Sequence, residues 1–161
     1  MLSGCLIDDP PAYTEPRQTP PRLNTHDADP PLNQIIVANS GDRLQFTIGV
    51  SSEDAGEDVT AQLLLDYNGR DVPEVIAYQN LPASTIDDPN KRLFEIKWRV
   101  VRVAAGCHLF TLRASHLSNL PGNDQAPKNT ADLAEVDWFA MVDTDAASSD
   151  MLVACPGLGP P

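Results

Sequence analysis

The residues able to do chemistry in this chain are few, and their spacing decides against most of it. The histidines are His26, His108 and His116. His108 and His116 share side-chain parity on one candidate strand, but eight residues of strand put them ~26 Å apart, too far to share a metal ion. No Cys-x-x-Cys or His-Glu-x-x-His occurs, so the pattern gives no zinc site and no metal is expected on that account. Ser115 directly precedes His116 and points to the opposite face of the strand, the wrong geometry for a nucleophile and its base. There is no Gly-x-Ser-x-Gly elbow and no Gly-rich phosphate loop. Asp87 and Asp88 read as turn residues, because a general acid and base need separately tuned environments. The expectation is a chain that is not an enzyme, with His108 bonding backbone carbonyls at a strand edge and His116 in a loop.

The acidic residues are the remaining chemical resource. Glu53, Asp54, Glu57 and Asp58 follow one candidate strand, Asp87 and Asp88 follow another, and Asp124 and Asp132 follow a third. If each strand reverses the last, these loops gather at one pole. Clustered carboxylates can hold Ca²⁺, which takes about six to eight oxygens. The spacing matches no EF-hand loop, so calcium enters only as an alternative and no resident cofactor is expected.

With 23 acids against 11 bases and a net charge of −12, the chain lacks the basic face that a nucleic-acid binder needs to displace counterions. A polybasic membrane contact is excluded for the same reason. No apolar run approaches the ~20 residues that span a bilayer.

The elements that would carry these residues are strands. Leu44, Phe46, Ile48 and Val50 alternate with Arg43, Gln45, Thr47 and Gly49, and Val59, Ala61, Leu63, Leu65 and Tyr67 form the next inward face. Asn68-Gly69 signals a tight hairpin, and Pro73 marks the following strand, Val72 to Tyr78, as an edge. Leu93 to His116 reads as two long strands joined by a turn at Ala104-Ala105-Gly106, with Phe94, Ile96, Trp98 and Val100 on one face. A short strand lies at Gln34 to Ala38 and a last one at Ala134 to Val142, with Val136, Trp138 and Ala140 inward. Phe139 and Met141, at outward parity, mark either a contact surface or ground covered by the C-terminal tail. About seven short strands and no helix point to an all-β, antiparallel two-layer sandwich of one domain.

From Leu6 to Pro31 no apolar period survives and seven of the fifteen prolines are concentrated. Proline favours polyproline II, so residues 6–32 read as a disordered, semi-stiff Pro-rich tether. The domain follows over 33–155, with a disordered end at 156–161.

Two resemblances add to this. Leu2-Ser3-Gly4-Cys5 resembles the lipobox of bacterial lipoproteins, which implies lipidation of Cys5 and makes residues 1–5 the remnant of a signal. No basic or apolar region precedes the motif, as a complete export signal requires, so the resemblance implies a start inside a longer signal. The run A-G-C-H-L-F-T-L-R-A-S-H leading to E-V-D-W-F-A-M-V resembles the closing strands of bacterial immunoglobulin-like domains. No cysteine lies in the second strand, so the inter-sheet bridge of antibody domains is missing.

The cysteines connect these readings. The start of the strand at Cys107 and the end of the last strand fall at the same pole, from which Cys155 can reach back. In an exported chain that bridge closes a loop worth ~4 kcal/mol in the chain-entropy model. Cys5 lipidated and Cys107 paired with Cys155 leaves no odd thiol. The expected function is a non-catalytic cell-envelope lipoprotein, anchored in the outer membrane or at the periplasmic or cell surface by lipid alone, meeting other envelope or surface proteins. The alternatives are a secreted calcium- or ligand-binding domain that uses Glu53, Asp54, Glu57, Asp58, Asp87 and Asp88, or an accessory domain of an envelope enzyme complex.

Overall fold

A computed structural model describes residues 19–54, 56–66, 74–83, 92–100, 103–120 and 126–143. The strands in order are β1 (Arg22–Asp29), β2 (Ile36–Ala38), β3 (Arg43–Ser51), β4 (Val59–Leu65), β5 (Glu74–Leu81), β6 (Arg92–Arg99), β7 (Gly106–His116) and β8 (Ala134–Val142). The alternation read in the sequence sets their faces. Phe46, Ile48 and Val50 of β3, Phe94 of β6, Phe110 and Leu112 of β7 and Trp138 of β8 all point into one core.

Two sheets enclose that core, one ordered β1-β3-β6 and the other β2-β8-β7-β4-β5. Lettered in chain order, these are the A-B-E and G-F-C-C′ sets of an immunoglobulin-like sandwich, with β2 as a short strand beside G. The strand pairs are antiparallel except β2–β8, which runs parallel with Ile36 opposite Ala140 and Ala38 opposite Val142. Four rings join the layers. Phe46 lies 5.1 Å from Phe110 and 5.2 Å from Trp138, and Trp98 lies 5.4 Å from Phe110, centroid to centroid. Such tilted and edge-on pairs add to the burial of large apolar rings.

Three expectations need correction. Leu93 to His116 is not a hairpin: β6 pairs with β3 and β7 with β4 and β8, so the connection between them passes from one sheet to the other. Alternation fixes which way a side chain faces but not which strand lies beside it. The tether expected over 6–32 does not extend that far, because Arg22–Asp29 is a strand on the edge of the smaller sheet. Its pairing is by backbone, so an edge position tolerates the polar sequence, and Ala28 reaches the core. Pro20-Pro21 and Pro30-Pro31 bracket this strand as punctuation. The domain therefore begins before residue 33, and with β1 the described strands number eight.

The larger sheet is also covered more fully than a half-wet strand pattern implies. On the face away from the core, Thr60, Gln62, Leu64, Thr111, Arg113 and Met141 are buried. Met141 is thus covered and Phe139 half-buried, so neither is an open contact surface. β5 is an edge strand, as Pro73 suggested; the Asn68-Gly69 turn lies outside the described residues. Where β5 and β6 meet, Gln79 bridges the two sheets: its Oε1 accepts from Glu95 N at 3.1 Å and its Nε2 donates to Leu93 O at 3.5 Å. The bridge occupies backbone groups on an edge that would otherwise be open.

Candidate functional site

Three chain segments converge beside the last residue of β7. β3 ends in Ser51, and Ser52 turns back toward the sheet, held by Asp54 N donating to its Oγ at 3.1 Å. His116 closes β7, and the 3-10 turn Thr130–Asp132 brings Asp132 alongside, capped by Asn129, whose side chain accepts from Ala131 N. His116 Nδ1 lies 2.7 Å from Asp132 Oδ1, and His116 Nε2 lies 2.8 Å from Ser52 Oγ. The partners assign the tautomer: Nδ1 faces a carboxylate and carries hydrogen, so in the neutral ring Nε2 accepts from the Ser52 hydroxyl. The order hydroxyl, imidazole, carboxylate is that of a serine nucleophile with its base and orienting acid.

The surroundings decide what this trio does. His116 is 0%, Asp132 1% and Ser52 3% exposed. The Ser52 oxygen already accepts from Asp54 N, and the Asp54 carboxylate stands 3.7 Å from Nε2. A negative group there opposes the oxyanion that acyl transfer would develop. The carboxylate of Asp132 is further engaged by Ser115 Oγ at 3.1 Å and by His116 N at 3.3 Å. Asn119 Nδ2 donates to Ser115 Oγ at 2.7 Å and to Asn129 O at 2.8 Å, while its Oδ1 accepts from Asn129 N at 2.7 Å. Every member of the trio thus holds a neighbouring segment, and the network pins the ends of β3 and β7 to the approach to β8. Buried polar groups joined this fully rigidify one arrangement of loops.

His116 is therefore the centre of a buried network and not a loop residue. The sequence separations, 64 residues from Ser52 and 16 from Asp132, explain why spacing alone did not reveal it. His108 behaves as the sequence suggests and more: its Nε2 donates to Ala104 O at 2.7 Å, and its Nδ1 faces Asp66 Oδ2 at 3.0 Å. Both nitrogens face acceptors, so both bonds form only on the doubly protonated ring. Asp66, in the left-handed region at φ 53°, also accepts from Leu109 N at 3.2 Å.

The acidic pole is gathered in part. Asp54 and Asp132 meet at His116, Arg22 Nη2 donates to Glu53 Oε1 at 2.6 Å, and Asp58 Oδ1 accepts from Ala83 N at 2.7 Å. Asp87, Asp88 and Asp124 lie outside the described residues. Among the described residues no group of three or more His, Cys, Asp or Glu is placed to hold a metal ion. The Arg92 guanidinium is held below its ordinary range by burial, with Asp58 drawing it part of the way back. Glu135 is pushed above the usual carboxylate range, by burial first and by Asp137 as well, against the pull of Arg113 opposite it on β7.

A cavity of ≈ 450 Å³ lies where β1 bulges away from β3, among Arg22, Asn24, Asp27, Gly49 and Ser51. Its charged groups are already paired, Arg22 with Glu53 and Asp27 with Asn24. A second, of ≈ 370 Å³, lies on the smaller sheet among Arg43, Gln45, Lys97 and Arg99. Cys107 opens β7 opposite Met141, at the end where β8 finishes; Cys5 and Cys155 lie outside the described residues. No described helix is long and apolar enough to cross a membrane.

No family model and no curated protein matches the chain. Among solved structures it is similar to the CARDB domain of a Pyrococcus furiosus protein, crystallised in complex with di-metal ions. The two are 8% identical with a TM-score of 0.39, over 76% of this chain and 91% of that one.

Proposed function

We propose that the chain is a non-catalytic interaction or structural module of the cell envelope, lipid-anchored through Cys5 and held off the membrane by the Pro-rich segment before β1. The observation that carries the non-catalytic part is the closure of the Ser52, His116 and Asp132 trio. Its hydroxyl is buried, already hydrogen-bonded on both sides, and flanked by the Asp54 carboxylate, so the groups best suited to react serve the framework. A two-sheet sandwich then offers its surfaces, and its partners are other envelope or surface proteins.

Export is supported from the other end of the chain. Cys107 is disulfide-bonded and lies at the end of β7 where β8 finishes, with Gly106 opposite Val142; the partner proposed for it is Cys155. A Cys107–Cys155 bridge belongs in an oxidising compartment. The calcium reading draws no such support: among the described residues no group of three or more His, Cys, Asp or Glu is placed to hold a metal ion, and Glu53 and Asp58 are bound to Arg22 and to Ala83 N.

The anchoring test is incorporation of labelled palmitate in a bacterial host expressing the full gene. Label lost with Cys5→Ala is the expected result, and label retained in that variant overturns the anchor. The partner test is capture of envelope proteins on the folded domain, where no enrichment over a heat-unfolded control counts against the module reading.

A further inference from the structure

The larger sheet buries apolar residues on both of its faces, and the sandwich core accounts for one. Leu64, Leu109 and Met141 are buried, yet they stand outside the core cluster, because their parity on β4, β7 and β8 turns them away from it. The register gathers them. Leu109 lies opposite Phe139, Cys107 opposite Met141, and Leu64 opposite Thr111, the next outward residue of β7. Leu64, Leu109, Phe139 and Met141 thus form one apolar patch beside Cys107, on the face away from the smaller sheet. The outer face of an antiparallel sheet is ordinarily solvated and polar. Farther along β8 it is so: Asp137 and Glu135, at the same parity, are exposed. Val37, opposite Met141 on β2, is exposed as well. Whatever covers the patch therefore stops short of β2 and of Asp137.

The disulfide narrows the choice of cover. Cys107 is disulfide-bonded, and the other cysteines of the chain are Cys5 and Cys155, both outside the described residues. Each has apolar neighbours, Leu6-Ile7 after the first and Met151-Leu152-Val153-Ala154 before the second. Their approaches differ. β1 starts at the far pole, where Arg22 pairs with Ser51 and the following Ser52 bonds His116, nine residues or ~30 Å along β7 from Cys107. β8 instead ends at Val142, opposite Gly106 and so next to Cys107.

We propose that Met151, Leu152, Val153 and Ala154 cover the patch, with Cys155 bonded to Cys107. The lengths agree. Cys107 to Thr111 is four residues of strand, ~13 Å, and the four residues that precede Cys155 span as much when extended, which carries them from Cys107 to Leu64. Asp143 to Met151 is eight residues, with a reach of ~27 Å, enough to take the chain out to Leu64 before it returns. Apolar surface leaves water on both sides of the contact, and the bridge holds the segment at a high effective concentration. This face is then occupied by the chain itself, and partners of the module meet other surfaces.

The proposal rests on the Cys107–Cys155 bridge put forward above, and the two fail separately. The test is hydrogen peroxide oxidation of the full chain, read methionine by methionine by mass spectrometry, because a covered thioether is shielded from the oxidant. In the folded wild type, Met141 and Met151 convert to sulfoxide at least about tenfold more slowly than in the urea-unfolded chain. Leu152→Asp with Val153→Asp keeps the cysteines and brings Met141 toward the unfolded rate at unchanged near-UV circular dichroism. Leu6→Asp with Ile7→Asp leaves Met141 as slow as wild type. Met151 oxidised in the folded wild type as fast as in urea, or Met141 still protected in the Leu152 and Val153 variant, overturns the cover even where peptide mapping finds Cys107 joined to Cys155. Cys107 found free or joined to Cys5 overturns the bridge and the cover together, and Met141 exposed by the Leu6 and Ile7 change gives the patch to the other segment. The Met151 rate needs no variant, so it decides the question even if the substituted chain does not fold.

Discussion

Ser52 Oγ and His116 Nε2, 64 residues apart in the chain, meet at 2.8 Å in the interior of the sandwich. The contact makes His116 the keystone of three segments, with Asp132 on its other side at 2.7 Å. His116→Ala leaves the Asp132 carboxylate buried with fewer donors, and the expected loss is about 3 kcal/mol in urea unfolding. Ser52→Ala removes two hydrogen bonds, one to His116 Nε2 and one from Asp54 N, and costs about 2 kcal/mol. A fluorophosphonate serine probe leaves Ser52 unmodified in the folded protein; a mass shift on that residue would turn the reading toward a hydrolase.

Glu135 supplies a pH dependence of known sign. Its folded-state pKa is raised, chiefly by burial, so the folded form binds the proton more tightly than the unfolded chain. Stability from this group is present below the unfolded value of ~4.3 and is lost as pH rises through the folded value. Glu135→Gln therefore melts higher than wild type at pH 7, and the difference shrinks toward pH 4. Equal melting temperatures at both pH values would dismiss partial desolvation of this surface carboxyl as a source of instability.

Asp66 is predicted to be sensitive to substitution for two reasons that can be separated. It accepts from Leu109 N and faces His108 Nδ1, and it adopts φ 53°. Asp66→Asn keeps a side chain that tolerates the left-handed region and loses the charge. Asp66→Ala loses the acceptor as well and adds about 1–2 kcal/mol of backbone strain. Denaturant midpoints in the order wild type, Asn, Ala are expected.

A Cys107–Cys155 bridge predicts that Cys155→Ser lowers stability by about 4 kcal/mol and exposes one new alkylatable thiol at Cys107. Mass spectrometry after iodoacetamide under non-reducing conditions reads both thiols directly. An unmodified Cys107 in that variant would point to a different partner for it.

Much of the sandwich was legible in the sequence because burial on one face imposes a period of two, and that period is plain in β3, β4, β6 and β7. Partner choice was not legible. Phe94, Ile96 and Trp98 announce an inward face, but nothing in them says that β6 joins β3 and leaves β7 to the other sheet. β1 was hidden for a different reason: an edge strand that buries little besides Ala28 carries hardly any apolar signal, and flanking prolines mimic a tether. The buried trio was missed because hydrogen-bond partners are selected in space. Ser115, the neighbour of His116 in sequence, bonds Asp132 and not the imidazole, whereas Ser52 arrives from the end of another strand.

The parallel pairing of β2 with β8 bears on how the domain would respond to pulling. Tension between the two ends of the chain draws these strands in opposite directions along their length, so once β1 has come away the ladder is loaded in shear and its rungs must yield together. A domain moored at its front and gripped beyond β8 would then hold against traction that peels an antiparallel hairpin one rung at a time.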